Sequence, residues 1–238
     1  MATTLHERGY AMSLKTDEGF LTRSGLRDAV ILLSAFSAVF CTVTKAETGV
    51  AFFLLLLGSF VHFLSKGVLI RNEVLCTEGI YRIIRHPYYL ANFLIDSSFC
   101  VLSGNHYLVL LYPFLFFWSY GPTLRKEEGT LTEKHGDPSV AYLLGTPPVF
   151  PDRRSIRQVG RLFAGFALTR ISGKEVARNT RFYAMALLIL AFHRVGGKIR
   201  NLDILSDRDT LLLLAAALFL YGLSFTILKL RKRTTEKQ

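Results

Sequence analysis

Three cysteines in 238 residues, Cys41, Cys76 and Cys100, are too few and too widely spaced for a disulfide framework or a thiolate metal centre. Two of them lie in hydrophobic stretches, where cysteine packs as a small apolar residue. No other ligand spacing is present, so no metal is expected. The chain also lacks a Walker-type phosphate loop, a dinucleotide-type glycine fingerprint, an internal repeat and a low-complexity tract, which argues against the common nucleotide-binding and repeat architectures. Acidic residues are scarce, 18 against 29 lysines and arginines, for a net charge of +11. The N-terminal Met1–Arg27 has charges of both signs and no apolar central region, unlike a cleaved secretion signal. Its first 25 residues read as a polar tail.

Apolar residues are what the chain has in excess. They make up 50% of the sequence, and the mean hydropathy is +0.32. They come in blocks: Leu26–Thr44, Val50–Ile70, Tyr88–Ser103, His106–Gly121, Phe182–Val195 and Thr210–Leu230. A spanning helix needs roughly 20 apolar residues. The second and sixth blocks meet that length, and the first, third and fourth meet it with their flanks. The fifth is short enough to be a re-entrant or interfacial segment. The expectation is an all-α polytopic integral membrane helical bundle with about six transmembrane helices.

Charge placement supports six. With six spans, 24 of the 29 lysines and arginines fall on one side, and only Lys45, Arg194, Lys198, Arg200 and Arg208 on the other. Positive charge favours the cytoplasm, so both termini and the loop from 122 to 181 belong there. A five-span chain would send the basic run at residues 229–233 to the opposite side. That run suits anionic lipid headgroups rather than nucleic acid. The core is expected over 26–152, followed by a basic connector and two hydrophobic helices over 153–238.

Two polar clusters lie at block ends. The first, residues 79–89, reads Gly-Ile-Tyr-Arg-Ile-Ile-Arg-His-Pro-Tyr-Tyr. Pro87 suits the first turn of the third helix, where its missing N–H is no loss, and His86 then sits at the helix N-terminus, a favourable place for an anion. The second is Glu127-Glu128, in a charged helix expected over Thr123–Lys134 after Gly121-Pro122. A short Ser103-Gly104-Asn105 connection makes the third and fourth blocks an antiparallel hairpin, which returns the glutamates to the side of His86. Arg82, Arg85 and His86 suit an anionic group, Tyr81 and Tyr89 offer rings and hydroxyls, and Glu127 and Glu128 suit an ammonium or sulfonium. A zwitterionic, amino-acid-derived cofactor satisfies both clusters. The plainer role is headgroup binding by the arginines beside solvated glutamates. Asp96, His62 and Asn92 within the blocks are expected to make contacts between helices. His135 is expected either to cap the glutamate helix or to approach a ligand.

The pattern Gly79-x-Tyr81-x-x-x-Arg85-His86-Pro87-x-Tyr89, then Glu127-Glu128-x-x-Leu131, His135-Gly136-x-x-x-x-x-Tyr142, Pro147 and Pro151, resembles the isoprenylcysteine carboxyl methyltransferase family and related membrane phospholipid methyltransferases. The resemblance runs from about Ala29 to Asp152. It implies an integral membrane enzyme that uses S-adenosylmethionine, with its site at the cytoplasmic helix ends. It further implies that His86, Pro87 and neighbouring backbone hold the cofactor's carboxylate, with Tyr81 and Tyr89 lining the pocket. Arg85 would hold the polar end, and Glu127 and Glu128 would face the amino group or the acceptor. Glu128 and Arg85 are thus the expected catalytic pair. The acceptor would be a prenylated cysteine carboxylate or another lipophilic membrane molecule.

This chain departs from the family in three places. Ser139 stands where an aromatic residue is usual, and Ala91 where glycine is common. No arginine lies near Pro147 before Arg153-Arg154. In the carboxyl methyltransferases one such arginine is thought to orient the substrate carboxylate, so its absence leaves room for a lipid amine, hydroxyl or thiol. Two other readings fit parts of the pattern. One is a nicotinamide-dependent sterol- or steroid-type membrane reductase, whose relatives tend to pair an acid with an arginine rather than place two glutamates together. The other is a non-catalytic lipid-binding relative.

Overall fold

A computed structural model describes residues 23–69, 75–196 and 207–235. Most of the polar N-terminal tail, Lys198, Arg200 and the side chains of the basic run beyond Leu230 lie outside the described residues. Regular structure among those described is entirely helical. The long helices are α1 (Arg23–Phe40), α2 (Lys45–Val68), α3 (Pro87–Leu102) and α4 (His106–His135). Two short ones follow, α5 (Asp137–Gly145) and α6 (Arg153–Ile156), and then the long α7 (Gly173–Gly196) and α8 (Arg208–Thr235). Each hydrophobic block lies largely within one long helix. Three of these helices are long and apolar enough to cross a membrane: Lys45–Val68, His106–His135 and Arg208–Leu230.

The helix boundaries follow from local chemistry. Thr44 starts α2 with a reciprocal cap: its hydroxyl accepts from the Glu47 N–H, and the Glu47 carboxylate accepts from the Thr44 N–H. Asn105 starts α4 by accepting from the Tyr107 and Leu108 N–H groups, while its amide donates to Ser37 of α1. Between α3 and α4, Gly104 turns with φ of +68°, and a Cβ there would lie 2.4 Å from the Thr42 carbonyl oxygen. Only glycine serves both conditions.

Directions alternate along the bundle. At one end His193 of α7 lies between the carbonyls of Cys41, after α1, and Leu102 of α3, at 2.9 and 2.7 Å. Toward the other end, Arg27 of α1 stacks over Phe182 of α7, and Tyr88 of α3 lies beneath Arg178 of α7. Helices α1, α3 and α7 therefore run one way, and α2 and α4 return. Helix α8 packs along α7 and begins near its end, where Arg194 reaches Asp209 at 3.1 Å.

Helices α2 and α3 approach closely at Gly58, where a Cβ would lie 2.7 Å from Ile95 Cγ1 and 3.0 Å from the Ala91 carbonyl oxygen. Small residues at the crossing let two backbones meet without a polar driving force. Helices α3 and α4 are joined by rings: Phe93 packs edge-on to Phe116, Tyr89 edge-on to Tyr120, and Tyr112, Phe116 and Tyr120 recur every fourth residue along α4.

The structure corrects two expectations. The fourth block does not end at Gly121 with a separate helix after Pro122; α4 is continuous across both. Pro122 lies on an exposed face, and a single missing donor there does not break a helix already held by its neighbours. At 1.5 Å per residue, its 30 residues reach about 45 Å, longer than the roughly 30 Å hydrocarbon core, so Glu127 and Glu128 ride on its protruding third. The fifth block likewise sits in a helix longer than its apolar run, though that helix is not among the three apolar enough to span. The block is the apolar half of the 24-residue α7, which buries Ala177, Phe182, Ala184, Ala186, Ile189 and Ala191.

Asp96 makes the expected contacts between helices, and the partners are specific. Its carboxylate accepts from Arg27 Nε of α1 at 2.6 Å and from the Tyr112 hydroxyl of α4 at 3.1 Å, and Asp96 is fully buried. Removing one member of such a pair strands the other, which typically costs about 3–5 kcal/mol. Asp96→Leu should therefore lower thermal stability in detergent by that amount, read by circular dichroism. The double variant Arg27→Met/Asp96→Leu should recover most of the loss.

Candidate functional site

The first cluster forms at the start of α3. Gly79–Arg82 makes a short 3-10 turn; Gly79 has φ of +56°, and a Cβ there would lie 2.6 Å from the Ala164 carbonyl oxygen, so glycine suits on both counts. The chain then extends through Arg85 and His86. Their backbone N–H groups donate to the carbonyls of Pro147 and Pro148, each at 2.9 Å. The carbonyls of the proline exit thus fix the backbone beside the site. Pro87 occupies the first turn of α3, and His86, at the N-cap, does not cap with its side chain. Its imidazole turns toward α4 instead.

The second cluster meets it there. Arg85 Nη1 lies 2.9 Å from Glu128 Oε1, and His86 Nε2 lies 3.2 Å from the same oxygen. His86 Nδ1 is 3.7 Å from Glu127 Oε2, and the Tyr89 hydroxyl donates to the Glu127 carboxylate. The imidazole stacks on the Tyr89 ring with centroids 5.5 Å apart. The aromatic ladder explains this meeting: Tyr112, Phe116, Tyr120 and Leu124 hold one face of α4 against the bundle, and the next turn delivers the two carboxylates. Glu128 is 25% exposed and Glu127 45%, so both remain open to a ligand from solvent, whereas His86 is 8% exposed.

Burial, the largest influence, lowers the pKa of His86, and the hydrogen bond to Glu128 and the charges of Glu127 and Glu128 oppose that shift. Arg85 keeps a buried Nε with no hydrogen-bond partner. The result is a compact patch of two carboxylates, one guanidinium and one imidazole at the first turn of α3.

Not every expected residue joins it. Tyr81 faces away, with its hydroxyl 3.0 Å from Ser65 Oγ in α2, and burial pushes its phenol well above the usual range. What Tyr81 presents toward α5 is its carbonyl, which accepts from the Tyr142 hydroxyl at 2.7 Å. Arg82 is exposed, and His135 is partly exposed in the last turn of α4. Ser139 is fully buried and donates to the Gly136 carbonyl at 2.7 Å. Arg153 and Arg154 are exposed on α6, which Asp152 caps through the Ser155 N–H. The bracing role of Tyr142 was visible only as a motif position. The pairing of Arg85 and His86 with the proline backbone had no side-chain signal at all.

Residues 34–133 match the family model of the isoprenylcysteine carboxyl methyltransferase (ICMT) family. The stretch holds both polar clusters and supports the resemblance drawn from their motifs; it supports a membrane methyltransferase and lends nothing to the reductase alternative. No curated protein and no solved structure matches the chain.

The lowered pKa of His86 sets a pH dependence. An unfolded histidine titrates near about 6.5, and above that pH neither state carries the proton, so the stability is intact. As pH falls from there toward the lower folded value, the unfolded chain takes up the proton first and stability is lost. Unfolding midpoints measured from pH 7.5 down to 5 should therefore fall more steeply for the native chain than for His86→Gln.

Proposed function

We propose that this protein is a membrane methyltransferase that uses S-adenosylmethionine and acts on a lipophilic acceptor drawn from the bilayer. One observation carries the reading: Arg85 and His86 meet Glu127 and Glu128 at one end of the α3–α4 hairpin, inside the stretch that matches the methyltransferase family. A zwitterion suits this patch because it exchanges one ion pair for two without stranding a charge. Arg85, His86 and the first turn of α3 would hold a carboxylate, and Glu127 or Glu128 an ammonium. Tyr89, between His86 and Glu127, would fix their spacing.

When bound, the cofactor supplies a methyl group on an electrophilic sulfonium. The chain's own part is to align donor and acceptor and to keep water out. A carboxylate acceptor needs no base. An amine, thiol or hydroxyl acceptor must lose a proton, and the partly exposed Glu128 is the group placed to take it. Arg85 holds Glu128 in place through its 2.9 Å contact. No arginine projects from the proline exit, where backbone carbonyls pair with Arg85 and His86. That leaves room for a lipid amine, hydroxyl or thiol as acceptor beside a prenylated carboxylate.

The excess of lysine and arginine at the site end argues that this end faces the cytoplasm, with anionic headgroups nearby. Isothermal titration with S-adenosylmethionine tests the cofactor assignment. Both His86→Ala and Glu128→Ala should weaken binding by about tenfold or more, the scale of a lost charge-assisted hydrogen bond. Heat signals untouched by either change would reject the site. Incubation of membrane lipid extracts with protein and a methyl-labelled donor should yield a labelled lipophilic product.

A further inference from the structure

A second polar cluster lies across Tyr88 from the first, between α2, α3 and α7. Arg178, in the second turn of α7, sends Nη2 to within 2.9 Å of His62 Nε2 on α2. Its guanidinium carbon lies 5.6 Å from the centre of the Tyr88 ring, and Lys66 Nζ of α2 lies 4.8 Å from the same centre. The His62 ring packs against Tyr88 as well, with centroids 5.2 Å apart. Two cations and an imidazole thus surround one aromatic ring.

The charge of Arg178 is not matched. Among the described residues no carboxylate forms an ion pair with it, and its Nε is buried without a hydrogen-bond partner. His62 cannot supply the missing charge. To accept from Arg178 at Nε2 the imidazole must be neutral with its proton on Nδ1, and that nitrogen is also buried without a partner. Contact with a tyrosine face returns on the order of 2 kcal/mol, short of the several kcal/mol that desolvating a guanidinium costs. Cations at this depth meet a ligand, headgroups or each other. Lys66, over the same ring, is likewise a cation and supplies no negative charge.

We propose that Arg178, with Lys66, His62 and Tyr88, forms a binding site for the anionic head, a phosphate or carboxylate, of a bilayer amphiphile. The guanidinium offers forked donors that fit either group. Lys66 lies two residues before the end of α2 and Arg178 five residues after the start of α7, so both sit where a headgroup would lie. The exposed apolar residues Phe53, Leu56 and Phe60 on α2 give the hydrocarbon tail a surface to follow. The site is separate from the first cluster, yet only the Tyr88–Tyr89 pair divides them: those rings are 6.3 Å apart, and Tyr89 stacks on His86.

The test uses the full chain in a neutral detergent, with thermal stability read against added short-chain phosphatidic acid, decanoate, phosphatidylcholine of matched chains, and inorganic phosphate. The two anionic amphiphiles should raise the midpoint in a dose-dependent way, and phosphatidylcholine should not. Arg178→Gln should raise the half-maximal concentration by about tenfold or more, as expected for loss of a charge-assisted contact. Lys66→Met should raise it less, and it carries the test should Arg178→Gln fail to fold. Equal stabilisation of the native chain and both variants would overturn the site, as would an equal effect of phosphatidylcholine. Inorganic phosphate acting at the same concentration as the amphiphiles would overturn the assignment to a membrane ligand. Titration of the same samples with S-adenosylmethionine reports on the first cluster independently, so failure of one site does not count against the other.

Discussion

The buried ion pair between Arg27 and Asp96 organises the bundle. Apolar surfaces of helices can slide and rotate against one another in lipid at little cost, because the tails around them are equally apolar. A guanidinium and a carboxylate inside the bundle have one acceptable arrangement. Arg27 therefore fixes the rotation of α1 against α3, and Tyr112 adds α4 to the same carboxylate. Phe182 brings α7 against the other side of the guanidinium. Four helices are in this way set about one centre, and the facing sides of α3 and α4 are determined by it.

That setting reaches the polar end through stiff elements. Starting at Tyr112, the ring ladder on α4 carries its orientation through Phe116 and Tyr120 to Glu127 and Glu128. On the other side, Pro87 pins the start of α3, and the carbonyls of Pro147 and Pro148 pin the backbone of Arg85 and His86. Neither cluster relies on a flexible loop. Preorganisation of this kind keeps the facing side chains in register before any ligand arrives. It also explains how the C-terminal third joins the core: α7 contributes Phe182, Ala186 and Ile189 to the main apolar cluster, and Arg170 bonds the carbonyls of Gly67 and Val68 at the end of α2.

The two polar clusters differ in balance. Arg85 and His86 face two glutamates, so the first cluster is self-neutralised and suits a ligand with both charges. Arg178 meets a ring and a neutral imidazole and, among the described residues, no carboxylate, so the second suits an anion. Tyr88 and Tyr89, consecutive on α3, face different neighbours and keep the two apart. Consecutive helix residues point about 100° apart, which is enough to serve both sites from one turn.

Much of this was legible in the chain itself. Apolar block length announced the long helices, the three-residue connection dictated the α3–α4 hairpin, and residue type together with the hairpin predicted that His86 and Glu128 would share one end. These are local properties, set by periodicity, turn chemistry and charge. Tertiary packing alone decided that Arg27 answers Asp96, that Tyr81 turns to Ser65, and that the proline exit pairs with the backbone of Arg85 and His86. It also decided that Pro122 interrupts nothing, because neighbours hold α4 on both sides of it. Arg178 stands 90 residues from Tyr88 and belongs to a helix whose first half looks merely basic. No spacing rule connects them: which face of α7 turns inward depends on the sum of contacts made by every other helix, and that sum is not written in any single segment.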